Sequence, residues 1–335
     1  MTMSQPVKEP NEKKEILRVQ NLKKYFPIKG GVLKRTVGHV KAVDDVSLHI
    51  FEGETLGIVG ESGSGKSTLG RMMMRLLDPT EGQITFNGVD ISTIRQSKIR
   101  PLRKDMQMIF QDPYASLNPR MSVGEIIEEP MLIQKTGSSK ERQENVISLL
   151  ERVGLQQEAR YKYPHEFSGG QRQRIGIARA LSTRPKVIIG DEPVSALDVS
   201  VQSQVLNLME DLQNDFQLTY LFIAHDLSVV KHISDRVAVM YLGRLAEVAP
   251  KDDLYANPLH PYTQALISAV PTTDIDEKRE RIILQGDLPS PANPPSGCPF
   301  HTRCPEAHER CTLERPEMTK MGEEHYVACH LYTQS

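Results

Sequence analysis

The sequence predicts an α/β fold, a mixed or mainly parallel sheet wrapped by helices. Three observations carry that reading. ETLGIVG (54–60) is an apolar, strand-length run that ends in glycine, and STLGRMMMRLL (67–77) follows it at helical spacing. VIIGDE (187–192) and TYLFIAHD (219–226) repeat the strand pattern, with the helical stretch VQSQVLNLMEDLQNDF (201–216) between them. Strands that alternate with helices are joined by crossovers, which is how parallel sheets are built.

The remaining elements follow in order. The first 15 residues are charged and proline-containing and predict a disordered tail with no apolar signal segment. From Leu17 to Ile50 short β-like runs alternate with turns and predict an antiparallel β part. Residues from about 100 to 180 predict an inserted helical subdomain, polar and helical throughout 100–165; KERQENVISLLERVG (140–154) ends at Gly154 as helices often do. The three methionines Met72, Met73 and Met74 predict core filler. Past Asn257 the composition shifts to prolines and then cysteines, which divides the chain into a larger unit over 16–260 and an extension over 261–335. Lys and Arg number 41 against 43 Asp and Glu, so the whole surface is not built to coat nucleic acid. No apolar run reaches the ~20 residues of a membrane helix.

Chemistry concentrates at a few places. Gly60-Glu61-Ser62-Gly63-Ser64-Gly65-Lys66-Ser67, followed by Thr68, fits G-x-x-x-x-G-K-[ST] between a strand and a helix. Backbone N–H groups of such a loop turn inward around phosphates. Lys66 reaches the outer phosphates and the Ser67 hydroxyl ligates Mg²⁺. The loop needs an acid at a strand end; Asp191 supplies the metal carboxylate, and Glu192 stands where a general base would polarise water. Ser168-Gly169-Gly170 precedes a second helix and makes a second anion site.

The order of motifs, from 60–67 through Gln111 in IFQDP, Ser168-Gly169-Gly170-Gln171, Asp191-Glu192, Ser195-Ala196-Leu197-Asp198 and His225 in IAHD, closely resembles the ATP-binding subunits of ABC transporters over roughly 16–260. The resemblance implies a P-loop NTPase fold and head-to-tail pairing of two ATPase subunits. Ser168, Gly169, Gly170, Gln171 and Asp198 then serve the ATP of the opposite chain. Gln111 reaches Mg²⁺ or the attacking water, His225 contacts the γ-phosphate and orients Glu192, and an aromatic upstream of the loop stacks on adenine. Phe26 has the expected spacing from Leu22, with Tyr25 as the neighbouring candidate.

Three stretches narrow the resemblance to the peptide and nickel importer group: PIKGGVLKRTVGHVKAVDDVSL (27–48), QDPYASLNPRMSVGEII (111–127), and NPLHPYTQALISAVP (257–271) leading to GDLPSPANPPSGCPFHTRCPEAHERC (286–311). The resemblance is strongest to oligopeptide and dipeptide importers, with nickel as the alternative solute and a soluble ATP-driven switch as a more remote one. It implies a second, different ATPase chain, two integral membrane subunits (one docking a helix near 112–125), an external peptide-binding protein, and a peripheral position on the cytoplasmic face of the cell membrane. Cys298, Cys304, Cys311 and Cys329 form C-x5-C-x6-C-x17-C. Four converging thiolates can hold a [4Fe–4S] cluster or Zn²⁺, with His301, His308 or His330 as substitute ligands. Free or buried thiols are the other reading. A metal there would staple an extension too poor in apolar residues to fold on a core of its own.

Overall fold

The computed structural model describes residues 13–31, 34–270 and 281–333, so most of the expected N-terminal tail lies outside the described residues. A four-stranded antiparallel sheet combines β1 (Glu15–Gly30), β2 (Arg35–Phe51), β4 (Glu81–Phe86) and β5 (Val89–Asp90), as the β-like runs predict. Between them in the chain come β3 (Thr55–Val59) and α1 (Lys66–Met73), which belong to the second sheet and its cover.

After a short α2 (Gln96–Ile99) the chain enters β6 (Met106–Ile109), which lies inside the range read as helical. MQMI is too short to show a period. It becomes a strand because a parallel partner is available: Met106 pairs with Val187 and Ile109 with Gly190. The helical insert is therefore α3 (Val123–Gln134), α4 (Ser139–Arg152) and α5 (Gly169–Leu181). All three open on a serine whose side chain accepts from the N3 backbone N–H while the N3 Glu or Gln reaches back, a full capping box. Then follow β7 (Val187–Asp191), α6 (Val199–Phe216), β8 (Thr219–Ile223), α7 (Leu227–Ile233), β9 (Arg236–Tyr241) and β10 (Arg244–Pro250). α8 (Lys251–Ala256) closes the first unit, and the extension supplies α9 (Pro261–Ser268), α10 (Glu309–Leu313), β11 (Thr319–Gly322) and β12 (His325–Val327).

The second sheet has eight strands in the order β11-β12-β10-β9-β3-β8-β7-β6. Strands β9, β3, β8, β7 and β6 are mutually parallel, whereas β10, β12 and β11 run antiparallel at one side. Both faces of the parallel part are buried. Along β8, Tyr220 and Phe222 enter the core shared with α5 and α6, and Leu221 and Ile223 enter the core shared with α1 and the antiparallel sheet. The two-residue period of a strand explains this division, and burial of each such side chain stabilises by about 1.5–3 kcal/mol. Met72, Met73 and Met74 fill the second core, as predicted.

The extension does not stand apart. β12 pairs with β10, Phe300 is fully buried in the main core, and the Lys41 N–H donates to the Pro291 carbonyl at 3.0 Å. The fully buried Glu247 carboxylate accepts from the Leu259 and His260 N–H groups and bonds His325 Nε2 at 2.8 Å. The extension, expected to lack a core of its own, borrows the core and the sheet edge of the preceding unit. Among the described residues no helix is long and apolar enough to cross a membrane.

Candidate active site

Four neighbouring parallel strands deliver the predicted residues to one edge. The loop 60–65 leaves the end of β3, His225 follows β8, Asp191 and Glu192 end β7, and Gln111 follows β6. Open α/β sheets bind ligands outside the carboxyl ends of their strands, because loops and helix N-termini gather there.

Helix α1 starts without a side-chain cap. Its N-cap, Gly65, has φ 101°, and a Cβ there would lie 2.1 Å from the Ala42 carbonyl oxygen. Only glycine permits that approach, and the first N–H groups of α1 are left to a ligand. Lys66 is buried in the loop, donating to the carbonyls of Gly60 at 2.7 Å and Glu61 at 3.1 Å. Burial pulls its ammonium below the usual lysine pKa, while the carboxylates of Glu192, Asp191 and Glu61 oppose the shift. A cation held against carbonyls, with carboxylates near but no direct ion pair among the described residues, suits a phosphate chain. Ser67 Oγ donates to Asp191 Oδ1 at 2.6 Å, and the other Asp191 oxygen is 3.4 Å from Arg71 Nη2. This hydroxyl and this buried carboxylate are two hard oxygen donors side by side, a set that fits Mg²⁺.

Glu192 takes a left-handed backbone, φ 51°, which costs a glutamate on the order of 1–3 kcal/mol. Three bonds hold it there: its N–H donates to the Ile223 carbonyl at 3.0 Å, and the Ser195 N–H and hydroxyl donate to its own carbonyl at 3.2 and 3.0 Å. The turn presents the carboxylate to Gln111 Nε2 at 2.8 Å and to His225 Nδ1 at 3.5 Å. Glutamine, glutamate and histidine from three strand ends thus meet at one carboxylate oxygen.

Residues 43–195 match the ABC transporter family, and residues 246–311 match the oligopeptide/dipeptide transporter C-terminal region. The oligopeptide transport ATP-binding protein AppF of Bacillus subtilis is 61% identical over 321 residues, covering 95% of this chain and 98% of that one. The probable peptide ABC transporter ATP-binding protein y4tS of Sinorhizobium fredii is 53% identical, covering 94% and 90%. The chain belongs to the ABC transporter ATPases. Among solved structures, the cassette resembles cbiO1 of Clostridium perfringens, part of the cbiONQ transporter complex, with 29% identity and TM-score 0.63 over 73% of this chain and 92% of that one. It also resembles the MJ0796 cassette in a dimeric post-hydrolysis state bound to ADP and Pi, with 27% identity and TM-score 0.62 over 70% and 99%. It is an ATPase of this class, carrying the peptide-transporter type of extension.

The second predicted anion site lies elsewhere in the cassette, at the start of α5. Ser168 Oγ accepts from the Gln171 N–H at 3.4 Å and Gln171 Oε1 accepts from the Ser168 N–H at 3.0 Å. Both residues are exposed. Gly170 also has a packing reason that the motif does not reveal: a Cβ there would lie 2.5 Å from Val201 Cγ1 on α6. Asp198, at the N-cap of α6, is exposed and makes no side-chain cap. The two aromatic candidates behave differently. The Tyr25 hydroxyl is committed to Asp44, whereas Phe26 is 37% exposed beneath Lys24.

The predicted thiol site is the weakest match. Among the described residues no three His, Cys, Asp or Glu side chains are disposed to hold a metal ion. Cys298 and Cys311 pack in the main core with Cys304 against it, while Cys329 joins a separate cluster with Leu259 and Val327. Burial first, and then the neighbouring thiols, push Cys298 up to about 11; burial pushes Cys304 to about 11 as well. Two of the three substitute ligands are engaged: His301 Nδ1 with the Cys298 carbonyl at 2.8 Å, His330 Nε2 with the Glu314 carbonyl at 2.9 Å.

Sequence reasoning missed several residues that shape the site. Arg71 touches Asp191 from one turn inside α1. Arg172 and Arg179 tie α5 to the Gln111 segment, Arg172 stacking 3.7 Å from the Tyr114 ring centroid and Arg179 donating to the Ser116 carbonyl. Each is an arginine in an otherwise ordinary helix, and no local pattern distinguishes it.

Proposed function

We propose that this ATPase powers import of oligopeptides or dipeptides, peripherally on the cytoplasmic face of the cell membrane, paired with a second ATPase chain and two membrane subunits served by an external peptide-binding protein. The observation that carries the reading is the extension of the peptide-transporter type, integrated into the same sheet that bears the ATPase site.

The residues divide the work as follows. Gly60, Glu61, Ser62, Gly63, Ser64, Gly65, Lys66, Ser67 and Thr68 cradle the phosphates of ATP. Ser67 and Asp191 hold Mg²⁺, which supplies charge neutralisation on the phosphates, and Gln111 reaches toward the same place. Glu192 takes the proton of the attacking water, kept in line by Gln111 and His225. Phe26 stacks on adenine, a role its exposure supports over that of Tyr25. Ser168, Gly169, Gly170, Gln171 and Asp198 face the ATP of the partner subunit. The segment that leads into the helical insert, near 112–125, receives a membrane subunit. A [4Fe–4S] cluster or Zn²⁺ at the four cysteines rests on their number and spacing alone; metal analysis of anaerobically purified protein tests it, and no step above passes through it.

Uptake of a labelled short peptide by cells whose chromosomal copy carries Glu192→Gln tests the transport reading. Loss of uptake is expected, with labelled nickel uptake unchanged. Intact peptide uptake with lost nickel uptake would overturn the peptide assignment.

A further inference from the structure

Two residues of the C-terminal extension grip the first turn of the phosphate loop. The Glu61 N–H donates to the Tyr262 hydroxyl oxygen at 2.9 Å. The Arg303 guanidinium donates to both Glu61 carboxylate oxygens, at 2.8 and 3.1 Å. The Arg303 side chain is only 9% exposed and that of Glu61 29%, so this bidentate fork is more than a loose surface pair.

The grip is itself well anchored. The Tyr262 ring lies 4.8 Å from Tyr241 and 5.3 Å from Phe300, centroid to centroid, and Tyr241 ends the strand beside β3. Glu61 is thereby held at its N–H by Tyr262 and at its carboxylate by Arg303, while its carbonyl accepts from Lys66 and from the Ser64 N–H at 3.1 Å. The Lys66 bond cannot last through the cycle. An ammonium that turns to phosphate oxygens releases the carbonyls of Gly60 and Glu61, and the turn then depends on its other supports.

We infer that Arg303 and Tyr262 are positioning residues for ATP: by holding the Glu61 turn, the cysteine-bearing extension sets the nucleotide affinity of the phosphate loop. The inference rests on the reading of residues 60–68 as the ATP cradle. Preorganising the turn removes ordering entropy from the binding step, so loosening it weakens ATP without touching any group that contacts the phosphates. Arg303 stands next to Cys304 in the chain, so any change in the packing of that thiol segment reaches the loop through one side chain.

Equilibrium binding of a fluorescent ATP analogue to the full-length chain tests this. Arg303→Ala is expected to weaken binding by about tenfold and Tyr262→Phe by about threefold, with partial recovery in Arg303→Lys. In a Glu61→Gln background, Arg303→Ala should change affinity less than about twofold, because the carboxylate it acts through has lost its charge. Wild-type affinity in a normally melting Arg303→Ala protein overturns the inference. So does an equal loss in both backgrounds. Should Arg303→Ala fail to fold, Tyr262→Phe, which removes a single oxygen, decides alone, and unchanged affinity overturns the inference. Lys66→Ala separates the two readings: unchanged ATP affinity there would defeat the cradle itself, whereas its loss beside a normal Arg303→Ala defeats only the grip.

Discussion

Helices α1 and α5 both open on glycine, as the N-cap of α1 and the first residue of α5, yet their N-termini are finished differently. At α1 no side chain caps the helix, Gly65 is left-handed, and the first residue is a buried lysine facing Asp191 and Glu192. At α5 the N-cap is Ser168, closed on itself by Gln171, and both side chains are exposed. The first N-terminus has its cation and its carboxylates supplied by its own chain. The second is stable without any ligand and lies open to a neighbour; its longest capping bond, 3.4 Å, needs only a rotation of the serine to release an N–H. A glycine-led helix start is therefore no sufficient sign of a phosphate site in the same molecule. What decides is whether cations and a metal-binding carboxylate surround it.

The largest expected effect strikes the first N-terminus alone. Lys66→Ala should weaken ATP binding on the order of 100-fold, since a charge-assisted contact to the phosphates is lost. Fluorescent-nucleotide titration reads it. Glu192→Gln should leave that affinity near wild type and slow hydrolysis by about 10²–10⁴-fold, measured as phosphate release by the assembled transporter. Equal losses of binding in both variants would erase the distinction between cradle and base.

A third helix start sharpens the comparison. α9 is capped by a histidine: His260 Nδ1 accepts from the Tyr262 N–H at 3.0 Å, and burial lowers its pKa from 6.5 to about 4. Between those values the unfolded chain binds a proton that the folded chain does not. This contribution to stability is complete above about pH 6.5 and is lost as the pH falls toward 4, by on the order of 3 kcal/mol. Denaturant titrations from pH 7.5 to 4.5 should show the decline, and His260→Asn should flatten it.

Smaller still is the packing of α5. Gly170→Ala drives a methyl against Val201 and should destabilise the cassette by about 1–3 kcal/mol, with recovery when Val201→Ala is added. Thermal melts of the two variants check this. Full stability of Gly170→Ala would leave that glycine to phosphate binding alone.

The comparison also explains what could be read in advance. Residues 60–68, Asp191 and Glu192 could be singled out because strand, turn and helix follow one another and the motif needs each in place, whereas His225 entered through resemblance. Gln111 was picked out only through resemblance, and its bond to Glu192 had no signal, since a lone glutamine carries none and 81 residues separate the two. Strand β6 was lost in a helical stretch because four residues show no period and its partner lies far along the chain. Where the extension packs was hidden for the same physical reason. Counted alone it lacks apolar residues, but Phe300, Cys298 and Cys311 fill a core built by other segments. The four cysteines then look like a ligand set in sequence and like packing in space. Arg303, whose partner Glu61 is 242 residues away, had no local signal at all.

The central claim is that the phosphate loop and the Ser168 helix start serve two different nucleotides. Ser168→Arg tests it most directly, with ATP affinity measured on the isolated chain and turnover on the assembled transporter. The account predicts affinity within about twofold of wild type and turnover lowered by about 100-fold or more, because only the composite site is spoiled. Loss of affinity in the isolated chain comparable to that of Lys66→Ala, or undiminished turnover of the transporter, would contradict it.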